Sequence, residues 1–194
     1  KAFEEDVLLA GFGSAPTKSE GSAISYDDAG QQWTARYQHE TVALAFSITE
    51  EAEEDGQYGS IASRYTKALA RSMASTKEIK AANVLNNSTT STGGDGVTLL
   101  STAHPTQNGN QSNTLATAAD LSETSLEAIL IQIADMKDER GLRIAAQGTQ
   151  LVIPTAYTFV AERLLESQLR TGTADNDINA IKSGGYLPKG YHVM

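Results

Sequence analysis

The sequence predicts an α+β chain that combines one long helix, a projecting β-hairpin and a small layered unit. Three observations predict it. Apolar residues recur at helical spacing over residues 58–87, alternate with polar residues over residues 22–48, and follow a helix–strand–helix order from residue 121 onward. Elements that their own domain cannot bury usually bury themselves in a neighbouring copy. The pattern therefore favours a self-assembling structural protein.

The composition excludes several classes of function. The chain has 194 residues, 20% of them charged, and a formal net charge of -9. Phosphate backbones would be repelled overall, which disfavours a dedicated nucleic-acid-binding protein. No apolar stretch is long enough to span a bilayer, so we expect no membrane partner. The chain lacks cysteine, which excludes disulfides, thiolate zinc sites and cysteine nucleophiles.

The first quarter of the chain is predicted to form an arm followed by a hairpin. Residues 1–20 show no sustained helical or strand period, which predicts an extended arm. Residues 21–57 are predicted to form the hairpin and its base, with the turn at Asp27–Gln31. The apolar face shifts by one position between Gln38 and Thr41, which predicts a bulge there.

Charged residues mark the predicted long helix and the segment before it. Thr49 precedes an acidic run, Glu50–Asp55, in an order typical of a helix N-terminus. The alternative is a metal site built from these carboxylates, for which nothing nearby supplies the geometry. Within the predicted helix of residues 58–87, three basic residues share one face: Arg64, Lys67 and Arg71. This basic stripe is either a solvated face or a contact with an acidic surface, such as the Glu50–Asp55 run of a neighbouring subunit.

The second half of the chain is predicted to contain a polar loop and then a layered unit. Residues 88–120 are rich in small polar residues, which predicts a long irregular loop with some order near Val97. The layered unit is predicted from capping, periodicity and strand signals. Its predicted elements are a helix from the capping pair Asp120 and Glu123 to about Gly141, a strand at Gln150–Ile153, a helix around Tyr157–Leu165, and a strand at Tyr191–Met194.

Candidate catalytic and metal sites are weak. The histidines lack the spacing of metal ligands: His39, His104 and His192. Asp95, Ser101 and His104 suggest a hydrolase triad, but the Gly-x-Ser-x-Gly nucleophile motif is absent, so a structural hydrogen bond from His104 is the simpler interpretation. Asp175–Asp177 resembles half of a calcium loop and is better explained as a cap or turn. We expect no cofactor, no metal and no enzymatic activity.

Several segments resemble the major capsid proteins of tailed bacteriophages, and the Mu-like head subunits are the nearest group. The segments are KAFEEDVLLAGFG, WTARYQHETVALAFSITEEAEED, YTKALARSMASTKEIKAANVLNN, GGDGVTLLSTAHPTQNGNQSNT and TGTADNDINAIKSGGYLPKGYHVM. The resemblance implies the Hong Kong 97-type fold, in which an N-terminal arm (residues 1–20) and an E-loop hairpin (residues 21–57) extend over neighbouring subunits. It also implies a peripheral domain with a spine helix and polar loop (residues 58–120) and a layered α/β axial domain (residues 121–194). Family members are longer, so we expect this chain to be part of a longer protein.

The resemblance also implies partners and location. Copies of the chain would form hexamers and pentamers of an icosahedral shell around double-stranded DNA, assembled in the bacterial host cytoplasm with portal and scaffolding proteins and in some cases a decoration protein. Some members join subunits through a Lys–Asn bond, but residues 21–48 contain no lysine, so we expect non-covalent contacts. We expect these contacts to use the basic stripe together with aromatic and Arg residues of the hairpin. Those hairpin residues are Tyr26, Trp33, Arg36 and Tyr37.

Other functions remain open on the sequence alone. One is an encapsulin-like compartment, which shares the fold but carries protein cargo. The others are a hydrolase around Asp95, Ser101 and His104, and a monomeric binding module with a long hairpin.

Overall fold

The computed structural model describes residues 2–56, 58–170 and 177–194. The strands within these residues form three small sheets of two strands each. In chain order the described elements are β1 (Phe3–Leu9), β2 (Gln31–Gln38), α1 (Glu50–Glu54), α2 (Tyr58–Asn86), β3 (His104–Thr106), β4 (Gly109–Gln111), α3 (Glu123–Ala134), β5 (Leu151–Ile153), α4 (Thr158–Glu166), α5 (Ala180–Ser183) and β6 (Tyr191–Val193).

The first sheet corrects the predicted arm and hairpin. β1 lies within the predicted arm, and it pairs antiparallel with β2, which places Glu5 opposite Arg36. The segment before Asp27–Gln31 forms no strand, so the predicted hairpin tip is wrong. Arg36 explains the actual register, because its guanidinium pairs with Glu5 at 2.6 Å and lies 4.5 Å from the ring centre of Phe3. Cross-strand pairs of this kind stabilise a sheet more directly than an isolated turn sequence does.

The part of the predicted hairpin that follows β2 packs on the long helix instead. β2 ends at Gln38, where the bulge was predicted, and residues 39–49 form no strand. The ring of Phe46 meets Tyr65 of α2 edge-on, with 5.7 Å between the ring centres. The ion pair of Glu40 with Lys80 ties the same segment to the other end of α2. Phe46, one of the alternating apolar residues here, thus faces a helix rather than a sheet partner.

The helix predicted over residues 58–87 is confirmed as α2, which spans about 44 Å at the standard rise. None of its residues whose side chains are described is buried. The predicted helix start after Thr49 is also confirmed, although the Thr49 hydroxyl makes no capping hydrogen bond.

The polar segment over residues 88–120 is more ordered than a long loop. β3 and β4 form a hairpin, and Thr92 bridges to Thr98 around a glycine-rich turn. The Asn113 side chain accepts from the Ser101 amide at 2.9 Å and donates to the Leu99 carbonyl at 2.7 Å. Small polar side chains thus supply hydrogen bonds that a ladder would otherwise provide, which is why their abundance does not mean disorder here.

The layered unit is confirmed with corrected helix ends. α3 begins after Ser122, whose side chain forms a capping box with Ser125, so the predicted capping pair Asp120 and Glu123 is wrong. α3 ends at Ala134 rather than near Gly141, because the Asp138 carboxylate accepts from the Arg140 and Leu142 amides and closes a separate turn.

Strands β5 and β6 pair in parallel, and α3, α4 and α5 cover them. The core of this unit contains Leu126, Leu165 and Ile181, with partly buried Ile129, Leu130, Leu151, Leu187 and Tyr191 packed against them. Of the predicted half calcium loop, Asp175 and Asn176 lie outside the described residues.

Candidate interaction surfaces

The chain exposes far more surface than a compact chain of its mass. Its accessible surface is 14469 Å². A compact monomer of 20.6 kDa exposes about 8,900 Å². The buried apolar side chains among the described residues are few: Ala10, Ala35, Leu126, Ile153, Ala161, Leu165 and Ile181. The excess of roughly 5,600 Å² includes large apolar side chains, so this surface is suited to contact with other chains.

The four hairpin residues predicted to form contacts divide into two pairs. Tyr26 is 94% exposed and Tyr37 is 56% exposed, so both are available to a partner. Trp33 is half-buried and packs on the glycine-rich turn, where a Cβ at Gly94 would lie 2.5 Å from the indole Cε3. Trp33 therefore packs against its own chain. The Arg36 guanidinium already contacts Glu5 and Phe3 of β1.

A polar cluster ties the connection between β1 and β2 to the rest of the chain. The Asp27 carboxylate accepts from the Gly13 amide at 2.8 Å and from the Arg140 guanidinium. Arg140 also donates to the Gln107 side chain at 2.8 Å. The hydrogen bond from Arg140, followed by that from Gly13, holds the pKa of Asp27 below its usual range. Sequence reasoning treated Asp27 only as a turn residue, because no local pattern indicates a partner 113 positions away.

The basic stripe is present as predicted on one face of α2. Its three side chains are exposed, and within the described part of the chain they form no ion pair. A shallow groove runs along them beside Ala68, Ser72 and Ser75. The carboxylates of α1 are likewise exposed and without an ion pair among the described residues.

The histidine of the suspected triad makes a structural hydrogen bond, as the simpler interpretation predicted. His104 Nδ1 lies 2.6 Å from Asp95 Oδ2, and Nε2 is buried without a hydrogen-bond partner within the described residues. The Ser101 hydroxyl instead accepts from the Ala103 amide at 3.1 Å. Burial raises the pKa of Asp95, but the hydrogen bonds from His104 and the Val97 amide outweigh it and leave that pKa below its usual range. The triad is therefore not assembled.

The described residues hold neither a candidate metal site nor a candidate membrane-spanning helix. Residues 2–56, 58–170 and 177–194 contain no group of three or more His, Asp or Glu side chains placed to hold a metal ion. Within those same ranges, no helix combines the length and apolar character that crossing a bilayer requires.

A small core, a long helix with no fully buried side chain among those described and a large exposed apolar area together define a structural protein that is built to associate. The family model described as "Phage capsid protein" matches residues 32–192, and the chain belongs to that family. It is a major capsid protein, and its copies form the icosahedral shell of a bacteriophage virion, as the resemblance implied.

Two solved structures are similar to the chain across its whole length. The first is the bacteriophage JBD30 capsid, with 12% sequence identity and a TM-score of 0.74 over 100% of this chain and 85% of that one. The second is the JBD30 capsid decorated with minor capsid protein trimers and computed in I4 symmetry, with the same identity and TM-score and 84% of that chain covered. At this identity the likeness concerns the fold, and it confirms a mixed helix and strand capsid architecture. Among curated proteins, none matches the chain significantly.

Proposed function

We propose that the chain is a Hong Kong 97-type subunit that forms hexamers and pentamers through non-covalent contacts and encloses double-stranded DNA. The observation that carries this proposal is the excess exposed surface of roughly 5,600 Å². A standard protein interface covers about 800 Å² per partner, so the excess corresponds to roughly seven such contacts. A dimer provides one, whereas a subunit of a closed shell touches several neighbours.

In this proposal the fold elements take the roles of the capsid domains. α2 is the spine helix, residues 58–120 form the peripheral domain, and residues 121–194 belong to the axial domain. The resemblance implied a separate arm over 1–20 and an E-loop over 21–57. Because β1 and β2 are paired with each other, we propose that the two strands and their connection act as one extended element instead.

We propose different roles for the two pairs of hairpin residues. Tyr26 and Tyr37 are the aromatic anchors on neighbouring subunits, since aromatic side chains are typical interface anchors and these two are exposed. Trp33 and Arg36 hold the hairpin in place within the subunit. The prediction that Trp33 itself is an interface anchor remains untested.

The proposed partners follow from the shell function. Portal and scaffolding proteins take part in assembly in the host cytoplasm, and one of the similar capsids carries minor capsid protein trimers, which supports a decoration protein here. The net charge of -9 favours a wall that encloses DNA without specific binding. The chain uses no cofactor and catalyses no reaction.

Electron microscopy of the complete protein, expressed with its scaffolding protein, tests the proposal. Closed shells of hexamers and pentamers that protect DNA from nuclease are expected. A protein that stays monomeric across concentration and salt would contradict the shell function. Shells that contain a protein cargo instead of DNA would support an encapsulin-like compartment.

A further inference from the structure

We propose that helix α1 of one subunit docks on the basic stripe of α2 in the next subunit. The inference rests on the shell function proposed above and names one contact within it. The stripe consists of Arg64, Lys67 and Arg71, and the docking residues are the carboxylates of Glu50–Asp55.

The charge distribution of α1 favours a cationic partner. Its Glu side chains stand three and four positions apart, for example Glu50 with Glu53 and Glu54, and like charges at these spacings repel on a helix surface. The cap residue Thr49 adds no side-chain hydrogen bond, and the last turn carries no basic residue. An isolated helix of one turn is unstable in water even without such repulsion. Cations placed along α1 would remove the repulsion.

The basic stripe offers the complementary arrangement. At 3.6 residues per turn, positions 64, 67 and 71 lie within about 60° of one another around α2, so three cations face one direction. The groove beside them is lined by the short side chains of Ala68, Ser72 and Ser75, so a second element can approach the helix backbone closely. The two surfaces carry opposite charge and are therefore electrostatically complementary.

The contact must join different copies. Within one chain no carboxylate of α1 pairs with a cation of the stripe, although α1 directly precedes α2. The two surfaces are different patches, so their contact is heterologous, and a heterologous contact that closes on itself produces a ring. Pentamers and hexamers are rings of this kind. DNA phosphates could occupy the stripe instead, but they would leave the repulsion within α1 uncompensated.

Reciprocal charge reversal tests the proposal in the complete protein. The stripe variant carries Arg64→Glu, Lys67→Glu and Arg71→Glu, and the α1 variant carries Glu50→Lys, Glu51→Lys and Glu54→Lys. Each variant alone is expected to lower the yield of closed shells about tenfold or more at physiological salt, and the combined variant is expected to restore most of the yield. A matched control applies the same change of charge to exposed cations outside the stripe: Lys18→Glu, Lys77→Glu and Lys189→Glu. This control is expected to assemble like the wild type.

Every outcome decides the proposal. Rescue in the combined variant supports it even where a single-surface variant folds poorly. The contact would be overturned if the wild type forms shells and all variants give the same yield, or if the combined variant does not rescue the losses. Either outcome would leave the shell function intact. Stripe variants that assemble normally but retain less DNA would assign the stripe to phosphate and also overturn the contact. A wild-type protein that forms no shells would instead refute the proposed function, and the inference would fall with it.

Discussion

Replacing Gly94 by Ala tests whether Trp33 packs within its own subunit. A Cβ at position 94 would lie 2.5 Å from Cε3 and 2.6 Å from Cζ3 of the indole, closer than non-bonded carbon atoms approach. The backbone of Gly94 is outside the left-handed region, so alanine fits its conformation without strain. The indole is therefore the main obstacle, and it must leave the turn when the methyl group is added.

Two opposing effects set the sign of the result. Overpacking a well-packed contact costs about 1–3 kcal/mol. Substituting alanine for glycine at a compatible backbone site stabilises by about 0.4–1 kcal/mol through the unfolded chain. With the indole in place, Gly94→Ala is expected to destabilise by about 1–2 kcal/mol. Without that contact the same substitution would stabilise the protein.

Urea unfolding followed by far-UV circular dichroism measures this difference, and Gly11→Ala serves as the matched control because nothing lies near its added Cβ. In a Trp33→Ala background the cost of Gly94→Ala should fall to about zero, since only the Cα of Ala35, at 3.1 Å, remains close. Trp33 is the sole tryptophan, so its fluorescence should shift to the red in Gly94→Ala. A stabilised Gly94→Ala variant with unchanged fluorescence would refute the packing argument.

Three further predictions concern single side chains. Arg140→Ala removes the contact by which Asp27 anchors the connection between β1 and β2, so tryptic cleavage after the exposed Lys18 should accelerate severalfold. An unchanged cleavage rate would mean that the polar cluster of Asp27 and Arg140 does not hold this connection. Asp95→Asn should cost about 1–3 kcal/mol at pH 7. Because the pKa of Asp95 is lowered in the folded state, the stabilisation by its carboxylate is present above about pH 4 and is lost as pH falls through that folded pKa. The urea midpoints of the wild type and of Asp95→Asn should therefore converge in acid. Tyr26→Ala should reduce shell yield while leaving the circular dichroism of the subunit unchanged, because the side chain is almost fully exposed; normal assembly would exclude it as an anchor.

The elements that the sequence predicted well are those whose signal is local. α2 was predicted to within one residue at its C-terminal end, because its helical spacing continues over many turns. β5, α4 and β6 also follow from short runs of apolar residues. The sheet of β1 and β2 was mispredicted because its register depends on a pair far apart in sequence, Glu5 and Arg36, and a turn motif closer to β2 suggested another partner.

The candidate surfaces were predictable as charge and composition but not as contacts. The basic stripe follows from helical geometry alone, and its three side chains are exposed, while the contact predicted for them stays a prediction. The packing of Trp33 could not be predicted, since an aromatic residue in a strand shows the same sequence pattern whether it faces its own subunit or another. The indole packs on Gly94, because only a residue without a side chain leaves room for it. A glycine inside a turn gives no indication in sequence of which side chain lies over it.

The distribution of buried residues explains why the chain suits a shell better than a free monomer or a dimer. The main buried cluster lies in the layered unit, around Leu126, Leu165 and Ile181. No described side chain of α2 is fully buried, and the Asp27–Arg140 contact holds the connection between β1 and β2 to the rest of the chain. Polar anchors fix the position of such a segment but stabilise it only modestly in water. Apolar surface spread over several faces is covered only when several neighbours meet the subunit at once, and a closed shell supplies those neighbours at fixed positions.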